Sequence, residues 1–114
     1  MRAIQFSEIG PSSVLKLNQV PVPSFSKGSV IIANKAAGVN FIDTYHRSGL
    51  YPVQLPYIPG REASGIIDQI DSANTKFKKG DRVAYLASGT YAEYNLISNG
   101  LFLEINSRIY GSFT

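Results

Sequence analysis

One stretch of this 114-residue chain, Gly38 to Gly65, carries most of the side chains able to do chemistry. It sets Asn40, Asp43, Tyr45, His46, Tyr51, Arg61 and Glu62 among three prolines, between two segments that read as strands. Tyrosine keeps its proton at neutral pH, because its reference pKa is about 10. Tyr45 and Tyr51 can therefore donate to a developing negative charge without being charged themselves. Their rings can also flank a flat ligand. Tyr51 stands beside Pro52 in an irregular loop, where functional residues concentrate. Plainer readings compete at each position. Asn40 and Asp43 are explained as a helix cap, Tyr45 as a core aromatic paired with Phe41, and Glu62 as an acceptor for backbone amides. Capping and site roles are compatible, since a cap orients its side chain at the helix start. His46 is expected on the helix surface, without a catalytic role.

Composition excludes several classes. The chain has no cysteine and one histidine, which removes disulfides, thiolate nucleophiles and cysteine-based zinc sites. A catalytic zinc wants three protein ligands, usually His- or Cys-rich, so no metal site is expected. At 44% apolar residues the chain has surface enough for one packed core. The formal charge of +3 is mild, which makes a nucleic-acid surface a poor expectation. Met1 to Phe6 has no long apolar region, and no apolar run could span a bilayer. The expected compartment is the cytoplasm.

The elements that must position these residues are mostly strands. Arg2 to Ser7 alternates. Val14 to Val20 follows a Gly10-Pro11 turn and is expected to point Leu15, Leu17 and Val20 inward. Ser29 to Lys35 holds the β-branched run Val30-Ile31-Ile32, buried on at least one face. Small residues continue it through Gly38, which implies a close neighbour there. Asn40 then opens a helix of about two turns, with Asp43 at its third position reaching back to the Asn40 amide. Phe41 and Tyr45 share one face of it, and Gly49 ends it. Leu50 to Pro59, with Pro52, Pro56 and Pro59, is extended or turning. Ile66 to Asp71, Val83 to Leu86, Tyr91 to Ile97 and Leu101 to Ile105 complete about seven strands. Lys76 to Arg82 is a charged turn. The class is mainly β, barrel-like, with one or two short helices. No Gly-x-Gly spacing and no phosphate loop occur, so the chain holds no dinucleotide-binding unit.

At this point the motifs themselves resemble a known family. Ala-Gly-Val-Asn-Phe-Ile-Asp-Thr-Tyr, Arg-Ser-Gly-Leu-Tyr-Pro, Ile-Pro-Gly-Arg-Glu-Ala-Ser-Gly, Lys-Lys-Gly-Asp-Arg-Val-Ala-Tyr and Tyr-Ala-Glu-Tyr occur in that order. Together they are similar to the quinone oxidoreductases, the zeta-crystallin branch of the medium-chain dehydrogenase/reductase superfamily. The resemblance implies a GroES-like, partly open β-barrel, the catalytic domain of these enzymes, over residues 1–98. It also implies zinc-free, NADPH-dependent reduction of a small quinone. Zinc-dependent relatives place a cysteine where this chain has Asn40 and a histidine where it has Arg61. On this resemblance Asn40, Asp43, Tyr45 and Tyr51 line the nicotinamide end of the cleft, with the tyrosines as catalytic donors. Glu62 matches a position at the floor of the site. Arg61 is the weaker carry-over, since it varies among relatives.

The chain departs from the family after Ser98. Residues 99–114 resemble the segment that returns to the barrel after a nucleotide-binding domain, and that domain is missing between. The expected consequence is a catalytic-domain fragment that is inactive alone, with weak or absent NADPH binding, because half a cleft does not position a hydride donor. An alternative is a non-enzymatic GroES-like module that binds protein or RNA, with Lys76, Lys78, Lys79 and Arg82 as its basic surface. A third expectation is self-association, because apolar surface around Phe41, Tyr45, Leu50 and Tyr91 would otherwise face water.

Overall fold

The run Val30-Ile31-Ile32 founds the main sheet of the computed structural model, which describes residues 1–73, 76–98 and, for the backbone, 102–104. These residues belong to β3 (Ser29–Ala37), whose first four positions are all buried. That burial on both faces explains why the sequence is continuously apolar there rather than alternating. β3 lies between β4 (Glu62–Ile70) and β6 (Tyr94–Ser98), antiparallel to both. Beyond β4 come β5 (Arg82–Leu86) and the backbone of β7 (Phe102–Glu104), giving the order β6-β3-β4-β5-β7. β4 and β5 alternate, so Ala63, Ile67, Val83 and Tyr85 point into one core with Val30, Ile32 and Ile97.

β1 (Arg2–Gln5) and β2 (Lys16–Gln19) form a separate hairpin. It is tied to the main sheet through an Ala3–Ala92 bridge and an Ile4 amide that donates to the Tyr91 carbonyl at 2.9 Å. The two sheets do not close into a continuous barrel. The architecture is the mainly β, GroES-like, partly open barrel that the motifs imply, with one α-helix and one 3-10 turn among the described residues.

Several boundaries differ from the sequence reading. Val14 ends a 3-10 turn, Ser12–Val14, and β2 starts at Lys16. Leu17 is exposed rather than inward. It stands opposite Ile4 in the hairpin and lines an open groove. Tyr91 to Glu93 is not part of β6. These residues bond instead to β1, with the Glu93 amide donating to the Arg2 carbonyl at 3.2 Å. β4 begins at Glu62, four positions before the Ile66 expected, since the small residues Ala63 and Gly65 pair as readily as the isoleucines. In the charged turn, Lys78 Nζ meets Asp81 Oδ1 at 3.0 Å, and the Lys78 amide donates to Asp81 Oδ2 at 3.0 Å. Those two bonds hold the Asp81 carboxyl below its usual range. Apart from the β7 backbone, the reading of residues 99–114 as a return segment lies outside the described residues.

Candidate functional site

The helix α1 spans Phe41–Ser48, the extent expected from its caps. Asn40 is extended (φ −126°, ψ 155°), and its amide donates to Asp43 Oδ2 at 2.9 Å. Gly49 ends the helix in the left-handed conformation at φ 86°. The burial of this helix is the reverse of the ordinary pattern. An amphipathic helix turns its apolar stripe to the core. Here the buried residues are Asp43 and His46, while Phe41 is 80% exposed and Tyr45 37% exposed.

Polar contacts hold the inward face. The Tyr91 hydroxyl donates to Asp43 Oδ2 at 2.7 Å. Burial, and then the Asp43 carboxylate, push the Tyr91 phenol well above its ordinary value. Asp43 Oδ1 and His46 Nδ1 are buried with no hydrogen-bond partner among the described residues. His46 is therefore not the surface residue expected. Its ring meets the edge of Tyr57 at 5.4 Å, and Tyr57 in turn meets Phe6 at 5.7 Å. At the far end of the helix the Arg47 Nε donates to the Gly10 carbonyl at 3.1 Å, and the Gly10 amide returns to the Arg47 carbonyl at 3.0 Å.

The outward face brings the two candidate tyrosines together. Tyr45 and Tyr51 pack edge to face, with centroids 5.4 Å apart and planes at 76°. The Tyr51 amide donates to the Tyr45 carbonyl at 3.2 Å, which fixes the start of the proline loop against the helix. Tyr45 does not pair with Phe41 in a core, because both point outward. Val39, Leu50 and Tyr51 are exposed as well.

Arg61 and Glu62 stand apart from this pair, exposed at the start of β4. Glu62 lies against Gly38, where a side chain would collide with the Glu62 carboxyl group. That is the close neighbour implied by the small residues there, and the Gly38 amide also donates to the Glu62 carbonyl at 3.0 Å. Glu62 is thus one residue pair away from the strand that leads into Asn40. A groove of about 430 Å³ is lined by Leu17, Ala36, Ala37, Val39, Tyr91 and Ala92, with Arg2 and Glu93 among its polar members. Tyr45 and Tyr51 do not line it.

A half-buried network, whose Asn34 lines the groove, escaped the sequence reading. The Tyr85 hydroxyl lies within hydrogen-bond reach of Asn34 Oδ1 and of Asn95 Oδ1, the latter at 3.0 Å. Asn34 Nδ2 donates to Asn95 Oδ1 at 2.7 Å and to the Ala92 carbonyl at 2.9 Å. Asn95 Nδ2 donates to the Gly89 carbonyl at 3.0 Å. The network ties β3, β5 and β6 to the segment that carries Tyr91. The available signal was an asparagine interrupting each of two strand-like runs, since a polar residue inside a buried strand needs a partner.

With the fold and these contacts in view, the chain is assigned to a class. Residues 26–107 match the alcohol dehydrogenase GroES-like domain, and the chain belongs to that family. Within it the similarity is to quinone oxidoreductases. The chain is 43% identical over 108 residues to the probable quinone oxidoreductase of Schizosaccharomyces pombe, covering 93% of this chain and 33% of that protein. It is 42% identical over 114 residues to the quinone oxidoreductase of Homo sapiens, covering 96% of this chain and 35% of the relative. The crystal structure of Escherichia coli quinone oxidoreductase complexed with NADPH superposes at a TM-score of 0.87 with 35% identity, over 95% of this chain and 34% of the other. The chain spans about a third of the length of the curated relatives it matches. Among the described residues no helix is long and apolar enough to cross a membrane.

Proposed function

We propose that this chain is the catalytic-domain portion of a zinc-free NADPH:quinone oxidoreductase and that the outward face of α1 is its ligand wall. The observation that carries the reading is the reversed helix. Burying Asp43 and His46 while exposing Phe41 and Tyr45 costs stability, and such local inversions belong to sites. The residues suit a nicotinamide and a quinone. Tyr45 and Tyr51 give an accessible aromatic wall with two phenol donors, and Asn40 offers an amide beside it. NADPH supplies the hydride when bound. The tyrosines flank the flat rings, and their hydroxyls donate to quinone oxygen as negative charge builds there. Neither phenol need ionise, since neutral tyrosine is the donor form at physiological pH. Zinc has no role in this reading, because the sequence offers no cysteine and its single histidine is buried against Tyr57.

Alone, the chain binds nicotinamide weakly and does not turn over, because these residues form one wall and positioning of the donor is worth many kcal/mol of barrier. The test is a titration of isotopically labelled chain with NADPH, followed by an oxidation assay with a small quinone. The expected result is millimolar-range binding with resonance changes at Asn40, Tyr45 and Tyr51, and no NADPH oxidation. Changes confined elsewhere would remove the site assignment, and ready turnover would remove the inactivity.

A further inference from the structure

We propose that Tyr91 is the positioning residue of the candidate site: through Asp43 its hydroxyl sets where Asn40 and the outward aromatic face of α1 stand. The inference rests on the reading of that face as the ligand wall. Tyr91 is itself fixed from three directions. Its amide donates to the Pro59 carbonyl at 3.0 Å, and its carbonyl accepts the Ile4 amide at 2.9 Å. Its ring lies against Gly60, where a Cβ would come within 2.7 Å of Tyr91 Cδ1. Gly60 also has φ +111°, a conformation open to glycine and rarely to other residues. The hydroxyl thus projects from a rigid base.

The receiving end is just as constrained. Asp43 Oδ2 takes the Tyr91 hydroxyl at 2.7 Å and the Asn40 amide at 2.9 Å, and the residue is 5% exposed. A charge-assisted hydrogen bond in so dry a place is strong. The two ends of α1 are held differently. Its C-terminal end is anchored by the Arg47–Gly10 bonds and by His46 on Tyr57. The one aliphatic side chain of its first turn, Ile42, is only half-buried, so the Tyr91–Asp43 bond is the polar contact, made at a buried carboxylate, that joins that turn to the barrel. Loss of the hydroxyl frees the first turn to pivot about the fixed C-terminal end, and Asn40 and Tyr45 move with it. Tyr91 also lines the groove, so one residue belongs to both the groove wall and the support of the helix.

The experiment compares Tyr91→Phe with the wild-type chain by amide hydrogen exchange and by NADPH titration. The Asn40 amide is expected to exchange about tenfold faster, in line with loss of a bond to a charged group. The Tyr45 and Tyr51 ring resonances shift, the Ile67 and Val83 amides keep their protection, and NADPH binding weakens. A merely structural role would lower protection at Ile67 and Val83 by the same factor as at Asn40, and that outcome overturns the proposal. So does an Asn40 amide that exchanges unchanged. Should Tyr91→Phe fail to fold, the wild-type chain carries the test: the Tyr91 hydroxyl proton and the Asn40 amide should show the same opening free energy by exchange, and unequal values overturn the proposal. If Asn40 responds but the wild-type chain shows no NADPH-dependent change, positioning of the helix stands and the ligand reading fails. If the wild-type chain binds NADPH and Tyr91→Phe binds it equally with Asn40 unmoved, the ligand reading stands and the positioning role fails.

Discussion

β3 and α1 are separated by three residues and obey opposite rules of burial. β3 buries Val30, Ile31 and Ile32 and is placed by the hydrophobic effect. α1 buries Asp43 and His46, leaves Phe41 outside, and is placed by hydrogen bonds and ring edges at its two ends. The contrast separates scaffold from site. A segment whose apolar side chains already have a core has no reason to face anything else. A segment held by its polar side chains presents its apolar face to whatever comes next to it.

The scaffold half of that contrast is the easiest to break. Ile32 is completely buried between strands on both sides. Ile32→Ala removes buried methylenes and leaves a cavity, so urea denaturation should show a loss of about 2–5 kcal/mol. A loss below about 1 kcal/mol would mean that the sheet does not depend on its apolar run, and the distinction from α1 would disappear.

A smaller loss is expected from the polar network inside the same sheet. Tyr85→Phe removes the phenol donor of half-buried Asn34 Oδ1, at a cost of about 0.5–1.5 kcal/mol. Burial raises the Tyr85 phenol above the usual value of 10.0, against an opposing pull from Asn34, and burial with Asp43 raises Tyr91. The folded chain holds these phenol protons more tightly than the unfolded chain does, so ionisation above about pH 10 favours the unfolded state. The contribution is fully present below about pH 10 and is lost as pH climbs through the raised values. Denaturation midpoints should fall from about pH 10 upward, and Tyr85→Phe should flatten that fall in part. If Tyr85→Phe cost more than Ile32→Ala, polar contacts would be holding the sheet as well as the helix.

These elements also show what the sequence could express. The extent of α1 was readable, because Asn40, Asp43 and Gly49 are local signals whose partners lie within one turn. β3 was readable because a β-branched run reports its own burial. The facing of α1 was not. Phe41 and Tyr45 share a face in any helix, but which way that face turns depends on Tyr91, 48 residues beyond Asp43. The same distance hid the Tyr85–Asn34–Asn95 network, whose members sit on three strands. His46 was misjudged for a related reason. An imidazole on a polar-looking face suggests solvent, and the arrival of Tyr57 from the proline loop sets a ring against it. Within the site, Tyr45 and Tyr51 were legible as a pair only through the family motifs, because the turn at Gly49 that brings them together has no spacing rule of its own.

The smallest effect on stability belongs to the most exposed aromatic on α1. Phe41 is 80% exposed, so Phe41→Ser removes little buried surface and should change stability by no more than about 0.5 kcal/mol. Its effect should appear instead in association. Val39, Phe41, Leu50 and Tyr51 are all exposed, and an apolar patch of that kind favours contact with another surface. If the face drives self-association, sedimentation of the wild-type chain at high concentration should show a species larger than the monomer, and Phe41→Ser should shift it toward the monomer at equal stability. A wild-type monomer throughout the concentration series would leave the face exposed for ligand alone. A stability loss well above 1 kcal/mol would have a different meaning. It would place Phe41 in contact with the fold, and the helix would then be held by its aromatic side after all, on the same terms as β3.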